Sequence, residues 1–134
     1  RIARAQDDRE VQPHRIRKSI GSERTFDIDL VEEHDMLVHI DKLCKEVADD
    51  MERLKATAKT LTLKIKYFDF TINTRSKTFL SEFSSADAIY TIARELLRTP
   101  QLPLYPVRLL GVSVSSLLYQ HDRLQEGYQL TLEL

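Results

Sequence analysis

The sequence predicts an α+β fold of βαββαβ order: a four-stranded sheet with two helices on one face and the other face open. Three observations carry that expectation. Apolar and polar residues alternate in several separate stretches; two other stretches repeat apolar residues every three or four positions; and Gly, Pro or turn-forming residues punctuate the joins. A length of 134 residues suits one compact domain with short extra segments, and 42% hydrophobic against 31% charged residues is enough to build a core. With 3 Gly and 4 Pro, collagenous and low-complexity readings fall away. A single Cys cannot staple a fold and fits a reducing, cytoplasmic setting. The longest apolar runs fall well short of the roughly 18 residues of a membrane span, so no membrane partner is expected.

Residues 1–15 read as a polar connector, with Arg1, Arg4, Arg9 and Arg15 among Asp7, Asp8 and Glu10, then Pro13. Beginning at Arg1, they read as a cut inside a longer protein. A strand follows from Arg17, where Ile20, Phe26 and Ile28 share one parity and Ser19, Gly21, Glu23 and Thr25 the other. Met36, Ile40, Leu43, Val47, Met51 and Leu54 then form one helical stripe, with Glu32, Glu33 and Asp35 at its start and Arg53 and Lys55 at its end, as the helix dipole favours. Leu61, Leu63, Ile65 and Tyr67 alternate with Thr62, Lys64 and Lys66 in a second strand. A turn near Asp69–Asn73 leads into a third, in Thr74–Phe83. Ser84 or Ser85 caps a helix over Ala86–Arg98, with Ile89, Ile92, Ala93 and Leu96 inward, and the prolines of the following TPQLPLYP stop it. Val107–Leu118 is the fourth strand, with Val112 and Val114 opposite Ser113 and Ser115, and a polar break precedes the final YQLTLEL.

The net charge of −1 is a cancellation. Residues 26–58 hold 4 basic and 10 acidic groups, whereas residues 59–78 hold 5 basic and 1 acidic, and residues 1–25 hold 7 and 4. The strands are basic and the first helix acidic. The open face is therefore expected to gather Lys64, Lys66, Arg75, Lys77, Arg17 and Lys18, with Ser19, Thr62, Thr74, Ser76 and Thr78 between them. Lys and Arg neutralise phosphates and hydroxyls donate to phosphate oxygens, so this pattern suits nucleic-acid backbone. An ordinary solvated sheet face would read similarly; the hydroxyl–base alternation of Thr74–Thr78 is what favours phosphate. Acids on the far side would repel DNA and orient the module.

Other chemistry is poorly supported. His14, His34, His39 and His121 are scattered, and the 34/39 spacing misses the i, i+4 geometry of a helical zinc pair. Cys44 lies near the inner stripe of the first helix. No phosphate-cradling Gly loop or nucleophile elbow occurs.

The stretches IAR, DDREVQPHRIRKSIGSERTF, LKIKYFDFTINTRSKT, RLLGVSVSSL and QLTLEL resemble the C-terminal part of bacterial Y-family translesion DNA polymerases. The specific element is RKSIGSERTF. The resemblance implies a little finger, or polymerase-associated, domain at 16–119, after the end of a thumb-like segment and linker at 1–15 and before a C-terminal tail at 120–134. Such a domain lays its sheet in the major groove of primer–template duplex and grips backbone phosphates. Its contacts map onto Arg17, Lys18, Ser19, Gly21 and Thr25, then Thr74, Arg75, Ser76, Lys77 and Thr78, with Arg108 in addition. The family often has Gly after the IAR triplet where this chain has Ala5-Gln6.

The resemblance further implies a parent enzyme with palm, fingers and thumb. Its palm carboxylates bind the Mg2+ of nucleotidyl transfer; this chain has no catalytic residue or cofactor of its own. Gln129, Leu130, Leu132 and Leu134 resemble the short peptide by which bacterial polymerases dock on the β sliding clamp. An extended end with a Gln anchor and leucines for apolar pockets costs little to order. Two alternatives stand beside this reading: an RNA-recognition-type module of the same element order, which needs aromatics on the open face, and a protein-interaction domain using the acidic helix.

Overall fold

The expected order of strands and helices is present in a computed structural model, which describes residues 18–120. Strand β1 (Ser19–Leu30), helix α1 (Glu33–Leu54), β2 (Ala56–Tyr67), β3 (Ile72–Phe83), helix α2 (Ala86–Arg98), β4 (Val107–Ser115) and a short β5 (Leu118–Tyr119) follow in turn. The sheet order is β1-β4-β2-β3, antiparallel throughout. β4 therefore lies between β1 and β2, which α1 connects, and β2 lies between β3 and β4, which α2 connects. Each helix is the crossover of a split βαβ unit, and the two units interlock.

Alternation decides which face each residue takes. Ile20, Val114 and Leu61 are register neighbours, and Val112 and Leu63 form the next row, followed by Leu110 and Ile65. All are 1% exposed or less, beneath the α1 stripe of Met36, Ile40, Leu43, Cys44, Val47 and Met51. From α2, Ile89, Ala93, Leu96 and Leu97 complete the core, while Ile92 packs at its margin. Burying each larger aliphatic side chain contributes on the order of 1.5–3 kcal/mol.

The helix ends follow their local chemistry. The Ser85 hydroxyl accepts from Ala88 N–H at 3.1 Å and starts α2. Helix α1 has no side-chain N-cap bond at Glu32, but Glu33 and Asp35 sit in its first turn against the positive end of the dipole. Lys55, left-handed at φ 57°, ends α1 and turns the chain into β2 at Ala56, earlier than the alternation from Leu61 implied.

Irregular register overturns two local expectations. β1 slips against β4 between Thr25 and Leu30, so Ile28, expected inward, is 82% exposed. The fourth strand ends at Ser115, where Ser116 at φ 56° turns the chain; Leu118 and Tyr119 then pair with Thr57 and Ala56 as the separate β5.

Cys44 is fully buried, and burial, followed by the nearby Asp41 carboxylate, pushes its thiol pKa up to about 12. The native thiol is thus neutral and inert at neutral pH. The Cys44 thiol should react with an aromatic disulfide reagent only at the rate of unfolding. Above its unfolded pKa of about 8.5 the unfolded chain alone ionises, so stability should fall as pH rises from there toward 12. Rapid labelling of the folded protein at pH 7 would contradict this burial.

Candidate nucleic-acid interface

The face away from the helices is a ruled array. Its first row across β1, β4, β2 and β3 is Ser19, Ser115, Thr60 and Thr78; the second is Gly21, Ser113, Thr62 and Ser76. The third is Glu23, Gly111, Lys64 and Thr74, and the fourth is Thr25, Leu109, Lys66 and Ile72. One end is a bed of hydroxyls, within which Thr60 Oγ1 lies 2.9 Å from the hydroxyls of Thr78 and Ser116. Cations gather toward the other end. Backbone amides of the two central strands are consumed by the ladder, so hydroxyls and ammonium groups must supply the donors here.

Two glycines lower the middle of the face. A Cβ on Gly21 would lie 2.9 Å from Ser113 Cβ, and one on Gly111 would lie 3.1 Å from Glu23 Cβ. Neither glycine has positive φ, so close approach across the strands, and not backbone conformation, is what disfavours a larger residue: at Gly21 a Cβ would force a shift, and at Gly111 it would crowd Glu23. The space they leave, with Glu23, Lys64 and Ser113 around it, is a shallow notch of about 270 Å³. Lys64 Nζ crosses it to Glu23 Oε1 at 3.4 Å, an exposed pair that a phosphate could replace at little cost.

At the cationic end, Lys66 Nζ and the Arg108 guanidinium lie 5.7 and 4.9 Å from the centre of the Phe70 ring. Arg108 Nε donates to Asp29 Oδ1 at 3.2 Å. The Asp69 carboxylate beside Phe70 accepts from the Thr71 hydroxyl at 2.7 Å and from its N–H at 3.1 Å, which holds its pKa below the usual carboxylate range.

Of the residues singled out from sequence, Ser19, Gly21, Thr25, Lys64, Lys66, Thr74, Ser76 and Thr78 share this face, and exposed Lys18 immediately precedes β1. Arg17 and the tail residues Gln129, Leu130, Leu132 and Leu134 lie outside the described residues. Arg75 and Lys77 stand on the opposite parity, toward the helices, and this corrects their expected place on the open face. The reason is the register: Arg75 pairs with core-facing Leu63, and Lys77 with core-facing Leu61. Arg75 Nη1 donates to the carbonyls of Leu96, Leu97 and Gln101 at 2.9, 2.6 and 2.9 Å, and its Nε donates to Asn73 Oδ1 at 2.8 Å. It closes the C-terminus of α2, adding a charged donor to the Leu96 carbonyl, which also accepts from Thr99 N–H at 3.4 Å, and supplying one to Leu97. Lys77 Nζ rests 5.2 Å from the Phe79 ring, beside Ile92 and Leu96.

Sequence reasoning missed Thr60 and Gly111 as members of the face; Glu23 was set on the polar side of its strand, and the register places it there, beside Gly111. It set Ser113 and Ser115 away from the core without placing them at the centre of the array. Only the pairing of β4 between β1 and β2 does that.

The face can be weighed against known proteins. Residues 17–132 match the family described as the impB/mucB/samB family C-terminal domain, and the chain belongs to that family, the little finger module of Y-family DNA polymerases. DNA polymerase IV of Leptospira interrogans is 38% identical over 86% of this chain and 34% of its own length. DNA polymerase IV 2 of Agrobacterium fabrum is 40% identical over 99% of this chain and 38% of its own length. This chain thus spans about a third of the length of the curated relatives it matches. Among solved structures, an insertion ternary complex of Dbh DNA polymerase superposes with a TM-score of 0.67 at 20% identity, covering 76% of this chain and 29% of that one. A complex of the β-clamp processivity factor with the little finger domain of PolIV gives 0.61 at 21% identity, covering 72% of this chain and 86% of that one. At such identities the structures establish a shared fold.

Replacing Arg75 with Ala should lower folding stability by about 1–3 kcal/mol in urea titrations, because half-buried carbonyls at the end of α2 lose a charged donor. Arg75→Lys should recover only part of this. An unchanged unfolding midpoint in Arg75→Ala would contradict the capping role.

Proposed function

We propose that this chain is the DNA-gripping little finger of a translesion polymerase of the DNA polymerase IV type, with domain 16–119 holding primer–template duplex by its backbone phosphates in the major groove. The observation that carries this reading is the open face itself: hydroxyl rows flanking a glycine-lowered notch, with Lys64 and Lys66 on one central strand. Small hydroxyls let a phosphate come close to the sheet, the notch removes side chains that would hold it off, and the lysines supply countercharge without reading bases. The module acts in the cytoplasm, tethered through 1–15 to palm, fingers and thumb, and carries no catalytic residue. Among the described residues no group of three His, Cys, Asp or Glu side chains could hold a metal ion. In this reading the Mg2+ of the parent reaction is held by carboxylates of the palm. Among the same residues no helix is long and apolar enough to cross a membrane.

Gln129, Leu130, Leu132 and Leu134, in segment 120–134, are proposed to dock the parent enzyme on a β sliding clamp. Support comes from the terminal Gln-and-leucine pattern and from the likeness to a little finger bound to a β-clamp factor. The alternatives fare less well. On the central strands the outward residues are Thr60, Thr62, Lys64 and Lys66 and Leu109, Gly111, Ser113 and Ser115, none aromatic, so an RNA-recognition module would lack its stacking platform. A protein-interaction role for α1 competes with the ion pairs its acids already make, Asp41 with Lys45, Asp50 with Arg53 and Glu33 with Arg98.

Duplex binding should weaken with a log–log salt slope of about −3 to −4, and Lys64→Ala should reduce that slope by about 1, alike for all sequences. A sequence-selective loss would contradict backbone contact. Deleting residues 129–134 should abolish capture by an immobilised clamp while leaving duplex affinity within about twofold. Capture that survives the deletion would place the docking site elsewhere.

A further inference from the structure

Phe70 is a bulky residue in the left-handed backbone region, at φ 70°, where Gly or Asn is usual and a ring is disfavoured. The turn around it is tightly specified: Phe70 N–H donates to the Tyr67 carbonyl at 2.9 Å, Tyr67 N–H donates to the Thr71 carbonyl at 2.9 Å, and Asp69 accepts from Thr71. Yet the ring so positioned fills no core space; it is 62% exposed. A strained backbone holding an apolar ring in water points to work done by the ring.

Its neighbours indicate what that work is. Arg108 and Lys66 both approach the ring, Arg108 closely and Lys66 near the outer limit of a cation–π contact. Asp29 accepts from Arg108 Nε and anchors the guanidinium there. Lys66 belongs to the same array as the hydroxyl rows, so this corner continues the proposed duplex-gripping face. An exposed aromatic flanked by two cations is the arrangement that binds single-stranded nucleic acid: the ring and the guanidinium plane stack a base, and the ammonium meets its phosphate.

We infer that Phe70, with Lys66 and Arg108, forms a stacking site for an unpaired nucleotide of single-stranded DNA, at the edge of the face that grips duplex. This rests on the duplex-gripping reading for its setting, although the site itself needs only single strand. An incoming base displaces the Lys66 ammonium from the ring and frees it for the adjoining phosphate, while Arg108 stays in place. The glutamates and aspartates of α1 are on the other side of the sheet, whereas Asp29 is bonded to Arg108 and Asp69 to Thr71 beside the ring.

The test separates the ring from the backbone. Phe70→Gly suits the left-handed conformation and should leave thermal stability equal or higher, while removing the stacking surface. Phe70→Tyr keeps an aromatic face and should retain binding. The probes are a blunt duplex, the same duplex with a five-nucleotide single-stranded extension, and the extension alone, with 2-aminopurine as its first unpaired base. The expected result is a roughly tenfold loss in Phe70→Gly for the two probes with unpaired bases, a change under about twofold for the blunt duplex, and loss of the 2-aminopurine quenching given by the wild-type chain and by Phe70→Tyr. Equal loss on all three probes would overturn the inference, since Phe70 would then only position Lys66 and Arg108 for duplex phosphates. Absence of quenching with the wild-type chain would also overturn it. Binding of the extension without binding of the blunt duplex would instead defeat the duplex reading and leave the stacking site standing.

Discussion

The structure depends on one constraint, the insertion of β4 between β1 and β2. Because β4 pairs on both edges, each of its outward residues has a neighbour on either side, and its inward residues complete unbroken apolar rows with Ile20, Leu61, Leu63 and Ile65. The helices then have a single apolar face to cover, and the polar face is left whole. Shifting β4 by one residue would send Val112 and Val114 into water and Ser113 and Ser115 into the core. Core and candidate interface are therefore two readings of the same register.

The segregation of charge follows from that two-sidedness. Lys64 and Lys66 are confined to the open face, whereas the acids of α1 lie on the far side, where several are partnered by Lys45, Arg53, Arg24 and Arg98. A phosphate approaching the sheet meets cations and hydroxyls; one approaching the helices meets carboxylates. The orientation of a polyanion is thus set by placement in a chain whose net charge is only −1.

Much of this was legible in the sequence, because burial writes itself as periodicity. The stripe from Met36 to Met51 and the alternation from Leu61 to Tyr67 predicted their elements and their buried sides. Parity alone, however, says that a residue points up or down, not which neighbour it meets. In β3, Thr74, Ser76 and Thr78 alternate with Arg75 and Lys77, and hydrophobicity does not show which set faces the helices. The choice was made by pairing with Leu61 and Leu63, which no local pattern reveals. Ile28 failed for a similar reason: the slip in β1 breaks the period on which its assignment rested. The notch was equally hidden, since Gly21 and Gly111 are distant in sequence and become neighbours only through the ladder.

Arg75 has a consequence beyond its own hydrogen bonds. β3 is an edge strand, paired on one side only, and such strands fray first. By holding carbonyls at the end of α2 and beyond it, the guanidinium rivets the hairpin margin to the helix, so neither can loosen without exposing the other's unpaired polar groups. Strand and helix end become one cooperative unit. The outer rim of the array, where Thr74, Ser76 and Thr78 stand, thereby keeps the stiffness of the core beneath it.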